Sequence, residues 1–260
     1  MCLLVLAWQV HPRYRLVVAA NRDEFHARPT AAMGKWPAPD DIIAGRDLRA
    51  GGTWLAMDRA RRFGIVTNFR ELQPPASGAR SRGNLIPDYL RNQAGPERYL
   101  QELQPTAAGY SGFNLLLTDR DSLWYASNRA EQFARPLPPG IYGLSNEFLD
   151  TPWPKLQRVR RRFDPLAVQG GEISKAELFA ILSDPTQAGV SEKLHQSGVS
   201  PEWEQLLSSP FIRNEDYGTR CSTLVLLEPS GAVSLTERRF DPAGSVIADT
   251  QFSLDADEWL

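Results

Sequence analysis

Cys2 is the residue with the most chemistry open to it. Removal of the initiator methionine, which a small second residue permits, would leave a thiol and a free α-amine on one residue. An α-amine titrates near about pH 8. It can take the proton of its own side chain, so no histidine is needed as base. The next cluster is Asn21-Arg22-Asp23-Glu24, four polar residues closing an apolar run. Charges in a row are not buried without partners, which sets them at a sheet end or in a cleft. Asn68 and Asn146 also end short apolar runs, and Arg220 opens another. An asparagine amide is an uncharged donor suited to a developing oxyanion. The plainer readings are a small hydrophobe at a strand start for Cys2 and turn or cap residues for the asparagines.

Strands must position these groups. Leu3 to Trp8 and Leu16 to Ala20 are short runs, apolar on both faces, that read as buried strands. His11-Pro12-Arg13-Tyr14 turns between them. With Pro12 and Arg13 as the loop residues, the hairpin pairs Cys2 with Asp23 and Leu4 with Asn21. A slip of one residue would bring Arg22 or Glu24 opposite Cys2 instead. Further strands read over Ile42 to Ala44, Thr53 to Met57, Phe63 to Thr67, Phe113 to Thr118, Leu123 to Ala126, Ile141 to Leu144, Cys221 to Leu227 and Ala232 to Arg238. Helices read over Leu85 to Gln93, Glu97 to Leu103 and Trp153 to Phe163. Another follows Ser174, with Glu177 completing a capping box, to about Leu182. Residues 25–41, 72–83 and 184–219 read as irregular, the last suiting a lid or substrate loop. Hairpins at both ends with helices between them predict an α+β layered sandwich, residues 1–260 forming a single domain.

Composition narrows the function classes. The chain has 260 residues, 42% hydrophobic, with a formal net charge of −2. Nothing there draws it to nucleic acid or to an anionic membrane. The Arg158 to Arg162 run shares its helix with Leu156, Val159 and Phe163, so its arginines read as a solvated face. The N-terminal apolar run is too short to span a bilayer, which predicts no stable membrane insertion. Two cysteines make no secreted disulfide framework, and the expected compartment is the cytoplasm. Three scattered histidines give no metal-site spacing. Phosphate-loop and dinucleotide fingerprints are absent from the sequence.

Several stretches in order carry a resemblance: Cys2, Asn21-Arg22-Asp23-Glu24, Gly51-Gly52-Thr53-Trp54, Thr67-Asn68-Phe69-Arg70, Ser81-Arg82-Gly83, Phe113-Asn114-Leu115, Gly143-Leu144-Ser145-Asn146 and Thr151-Pro152-Trp153-Pro154-Lys155. With them the chain resembles the NRDE family, the transport and Golgi organisation protein 2 homologues. That family is similar to N-terminal nucleophile hydrolases, which implies a four-layer αββα sandwich with two packed, mainly antiparallel sheets. Cysteine amidases such as bile salt hydrolases and penicillin V acylases are relatives in pattern. The resemblance implies Cys2 as nucleophile, Asp23 as the contact of its amine, Asn68 and Asn146 as oxyanion donors, and Arg220 as a late active-site arginine. Asn21, Arg22, Glu24 and Arg70 are the expected substrate contacts. The amidases carry an arginine three residues before the aspartate, where this chain has Ala20. The implied activity is hydrolysis of a linear amide in a small N-acyl substrate, without cofactor. The alternative is a non-catalytic carrier of haem or lipid, with Cys2 or a histidine as axial haem ligand.

Overall fold

The computed structural model describes residues 2–71, 78–189 and 199–259. Contacts gather the chain into two compact units. The first holds the residues up to Ala27, Pro139–Ser145 and Leu149–Glu258; the second holds Arg28–Pro138, Asn146–Phe148 and Trp259. The strands are β1 (Cys2–Trp8), β2 (Leu16–Phe25), β3 (Thr30–Lys35), β4 (Ile42–Asp47), β5 (Leu55–Asp58), β6 (Phe63–Asn68), β7 (Phe113–Thr118), β8 (Leu123–Ser127), β9 (Ala134–Pro136), β10 (Gly140–Leu144), β11 (Tyr217–Leu227), β12 (Val233–Phe240) and β13 (Val246–Leu254). The helices are α1 (Leu85–Arg91), α2 (Pro96–Leu103), α3 (Pro154–Val168), α4 (Lys175–Leu182) and α5 (Pro201–Leu207). The fold is α+β, with an antiparallel sheet in each unit.

The first unit is built on the sheet β10-β1-β2-β11-β12-β13. Its first hairpin pairs Trp8 with Leu16 and ends with Cys2 opposite Arg22, not Asp23; Asn21 stands opposite Leu3, not Leu4. The predicted register is thus off by one residue, and the cause lies in the turn. The connection is longer than Pro12 and Arg13. His11 Nδ1 accepts from the backbone N–H groups of Arg13 (3.0 Å) and Tyr14 (3.2 Å). Gln9 takes a positive φ of 53°, and its N–H donates to the Arg15 carbonyl at 2.8 Å.

Alternation along the strands then assigns faces. Leu3, Val5 and Ala7 of β1, Val17 and Ala19 of β2 and Leu224 and Leu226 of β11 share one apolar cluster with α3 and α4. Leu156, Val159 and Phe163 supply the α3 side of it, while Arg161 and Arg162 are exposed, as the amphipathic pattern predicts. Ser174 caps α4, its hydroxyl accepting from the Glu177 N–H at 3.3 Å.

The second unit is the sheet β3-β4-β5-β6-β7-β8-β9. The apolar residues of α1 and α2, among them Leu85, Ile86, Tyr89, Tyr99 and Leu100, pack with Leu115 and Leu117 of β7. Two of the glycine-bearing stretches meet here. A Cβ on Gly52 would lie 2.3 Å from the carbonyl carbon and oxygen of Gly83. The Thr53 N–H donates to that same Gly83 carbonyl at 2.9 Å. Gly51, beside it, has a φ of +78° but open space around its absent Cβ.

β3 lies within residues 25–41, where irregular chain was expected, and β9 and β13 lie where no element was predicted. Most of β13 is exposed, so backbone pairing with β12 holds it rather than burial of an apolar face. In the 184–219 stretch, residues 190–198, His195 included, lie outside the described residues; α5 and the start of β11 occupy part of the rest.

The glycine contact generates a prediction. Gly52→Ala must push two main chains apart and should cost about 3 kcal/mol or more. Gly51→Ala pays only for its left-handed backbone, about 1 kcal/mol. Thermal unfolding of the whole chain should therefore rank Gly52→Ala well below Gly51→Ala.

Candidate functional site

β2 runs between β1 and β11, and its residues from Leu16 to Arg22 have a paired neighbour on both sides, while Asp23, Glu24 and Phe25 pair with β11. Arg22 is opposite Cys2 on β1 and opposite Cys221 on β11, and Cys221 is in turn opposite Arg239 on β12. The pairing between β11 and β2 is interrupted once, between Thr219 and Cys221. Arg220 falls at that bulge, between the Thr219–Asp23 and Cys221–Arg22 pairs.

Asp23 and Asn21 project toward α3 and α4; Arg22, between them, projects to the other face. Asn21 is 2% exposed. Its amide donates to the carbonyls of Leu182 (2.8 Å) and Pro210 (2.9 Å), and its oxygen accepts from Ser222 Oγ at 2.6 Å. Both amide hydrogens are spent on the protein. Asn21 therefore ties β2 to the chain around it rather than offering its amide to a ligand, because the strand's alternation turns it into the helix layer.

Asp23 is also 2% exposed. Thr219 Oγ1 donates to its carboxylate at 2.7 Å, and the Tyr217 hydroxyl donates to its carbonyl at 3.0 Å. Burial pushes the Asp23 carboxyl above the usual carboxylate range. Lys155, the Thr219 hydrogen bond and Arg22 act against that rise, Lys155 most strongly. Lys155 is itself 1% exposed, although lysine is seldom buried without a partner. Sequence reasoning gave this lysine no role. A signal was there: Lys155 precedes Leu156 and stands one helical turn before Val159, on the stripe that α3 buries.

Glu24 lies 3.9 Å from Arg22 and accepts from the Phe25 N–H at 2.9 Å. Arg220 Nη1 donates to the carbonyls of Phe25 (2.9 Å) and His26 (3.2 Å), holding the guanidinium against the end of β2. Burial lowers the Arg220 pKa, and the like charges of Arg22 and Arg239 lower it further. The first unit thus gathers Cys2, Arg22, Asp23, Glu24 and Arg220 around the ends of β1, β2 and the β11 bulge.

The second unit gathers Asn68, Arg70 and Asn146. The Asn146 side-chain amide donates to the Asn68 carbonyl at 2.9 Å, and the Arg70 N–H donates to the Asn146 carbonyl at 2.7 Å. Asn146 is 1% exposed. Of the histidines considered for haem, His11 Nδ1 is taken up in the β1–β2 turn, and His26 Nε2 is 3.0 Å from the Asn214 carbonyl.

The buried charges predict a pH-dependent stability. Lys155→Met should cost roughly 3–5 kcal/mol at neutral pH, since it leaves Asp23 without its main counter-charge. Asp23 has its pKa raised on folding, so its protonated form favours the native state and its ionised form opposes it as pH rises through the folded value. The gap between parent and variant in urea unfolding should therefore shrink as pH falls toward about 4.

The family model described as Transport and Golgi organisation 2 matches residues 1–242. The chain is similar to the bovine Transport and Golgi organization protein 2 homolog, 34% identical over 259 residues that cover 92% of each chain. It is similar to the human homolog at 33% identity over 258 residues, again 92% of each chain. Among solved structures, the Caenorhabditis elegans N-acylethanolamine-hydrolyzing acid amidase ortholog aligns with a TM-score of 0.49 at 11% identity, over 88% of this chain and 93% of that one. By its family match and these identities, this chain belongs to the Transport and Golgi organisation 2 family.

Proposed function

We propose that the chain hydrolyses a linear amide bond in a small N-acyl substrate, with Cys2 as an N-terminal nucleophile after loss of Met1. One observation carries the reading. Cys2 is the last β1 residue paired with β2, opposite Arg22, and the next position outward on β2 is Asp23. The nitrogen of a residue leads toward the preceding position of its strand. A freed Cys2 α-amine would thus lie on the Asp23 side of the Cys2–Arg22 pair. A buried carboxylate on that side supports the role given to Asp23, that of orienting the amine.

The reaction follows in balanced steps. The α-amine takes the thiol proton, and the thiolate sulfur attacks the amide carbonyl. The oxyanion that forms is assigned to the amides of Asn68 and Asn146 on the family resemblance, a good donor contributing on the order of 3 kcal/mol. The C–N bond breaks as the ammonium returns its proton to the leaving amine. Water, deprotonated by the same α-amine, then hydrolyses the thioester and frees the acid and the thiol. Arg22 and Arg220 favour the thiolate over the thiol. Arg70 and Glu24 are assigned to the substrate. We place this chemistry in the cytoplasm, where a thiol nucleophile stays reduced.

The test begins with the mass of the intact protein from its own host. Loss of Met1 together with rapid alkylation of one thiol is the expected result. Cys2→Ala should abolish both the fast alkylation and turnover of N-acyl amides, and Asp23→Asn should slow turnover on the order of a hundredfold. Retention of Met1, or full turnover by Cys2→Ala, overturns the proposal.

A further inference from the structure

Asn114 is the second residue of β7, beside Phe113, Leu115, Leu116 and Leu117, all buried, and is itself 0% exposed. Asparagine is a poor strand residue, and burying its amide costs free energy unless every polar atom is paired. Here they are paired. Its oxygen accepts from the Tyr125 hydroxyl at 2.7 Å. Its amide donates to Thr67 Oγ1 at 3.3 Å and to the Glu147 carbonyl at 2.8 Å. The Tyr125 and Thr67 contacts stay within the strands flanking β7. The Glu147 contact alone leaves the sheet, and an apolar residue at 114 could not make it.

Its target is the segment Asn146–Phe148, which the second unit holds residue by residue. Asn146 is fixed at its carbonyl by the Arg70 N–H and at its side chain by the Asn68 carbonyl. Glu147 is fixed by Asn114. Phe148 packs its ring 5.0 Å from that of Phe69. Asn114 is thus a side chain of the sheet interior that holds the Glu147–Phe148 peptide, one residue beyond Asn146.

We propose that Asn114 is a positioning residue that acts through Asn146, holding its amide in the orientation that an oxyanion donor needs. This rests on the donor role given to Asn146 above. Thr67 and Tyr125 set the Asn114 rotamer, Asn114 sets the Glu147 peptide, and the Glu147 peptide sets the orientation of Asn146.

The test uses Asn114→Leu, Asn146→Ala and the double variant in the full chain. Backbone hydrogen exchange over residues 144–150 needs no catalytic activity. Asn114→Leu should speed it roughly tenfold there, with β12 unchanged. Release of thiol-bound acyl groups from an activated N-acyl substrate supplies the second reading. Asn114→Leu should lower the rate constant about tenfold and leave the half-saturating concentration unchanged. Asn146→Ala should lower it about a hundredfold, and the double variant should be no slower than Asn146→Ala. A merely structural role would make the two losses multiply. Unchanged exchange over 144–150, or multiplying rate losses, overturns the proposal. If the parent chain transfers no acyl group, the hydrolase reading fails. The positioning role proposed for Asn114 then falls with it, while the exchange result still reports whether Asn114 holds the segment.

Discussion

Antiparallel pairing allows each strand residue one face of its sheet, and β2 is where this rule presses hardest. Its polar stretch begins between two other strands, with Asn21 and Arg22 paired on both sides and Asp23 paired with β11. Asn21 and Asp23 turn toward the helix layer and Arg22 turns away. Each is nearly inaccessible, and each therefore needs its own set of partners. Those partners come from distant parts of the chain: Leu182, Pro210 and Ser222 for Asn21, and Thr219 with Lys155 for Asp23. The single bulge in β11 lets Thr219 face Asp23 while Cys221 faces Arg22. Without it, one of these two pairings would fall out of register, and a buried group would lose its partner.

The second unit solves a related problem in another way. It ties a three-residue excursion of the chain to a sheet using polar bonds from inside that sheet. The Thr67–Asn114–Tyr125 set could be replaced by aliphatic residues at little cost to sheet stability, since such replacements are often near neutral when both partners go. What an aliphatic set would forfeit is the bond to the Glu147 peptide. The polar set is thus explained by placement rather than by gain in stability.

Much of this was legible in the residues. The apolar runs of β1, β7 and β11, the stripe of α3 and the Ser174 cap all carried local signals that the fold respects. The register of the first hairpin did not, because it depends on a histidine side chain that folds the turn, and nothing in His11-Pro12-Arg13-Tyr14 distinguishes a tight loop from a wide one. β13 was hidden because an exposed strand held by backbone pairing has no apolar alternation to read. Lys155 was hidden by its own type: a lysine is taken for a surface residue until a buried carboxylate is found to need it. At the candidate site the residue types were readable, but the side each one faces was not, since one residue of register inverts them all.

The contact between Gly52 and Gly83 joins main chain to main chain. Where two side chains crowd each other, shortening one makes room for lengthening the other. Here neither partner has anything to shorten. A change at either glycine has no compensating change at the other, so the two positions are free to vary only by moving the backbone itself. The stretch around Gly52 and the stretch around Gly83 are in that sense one unit of inheritance, although some thirty residues of chain separate them.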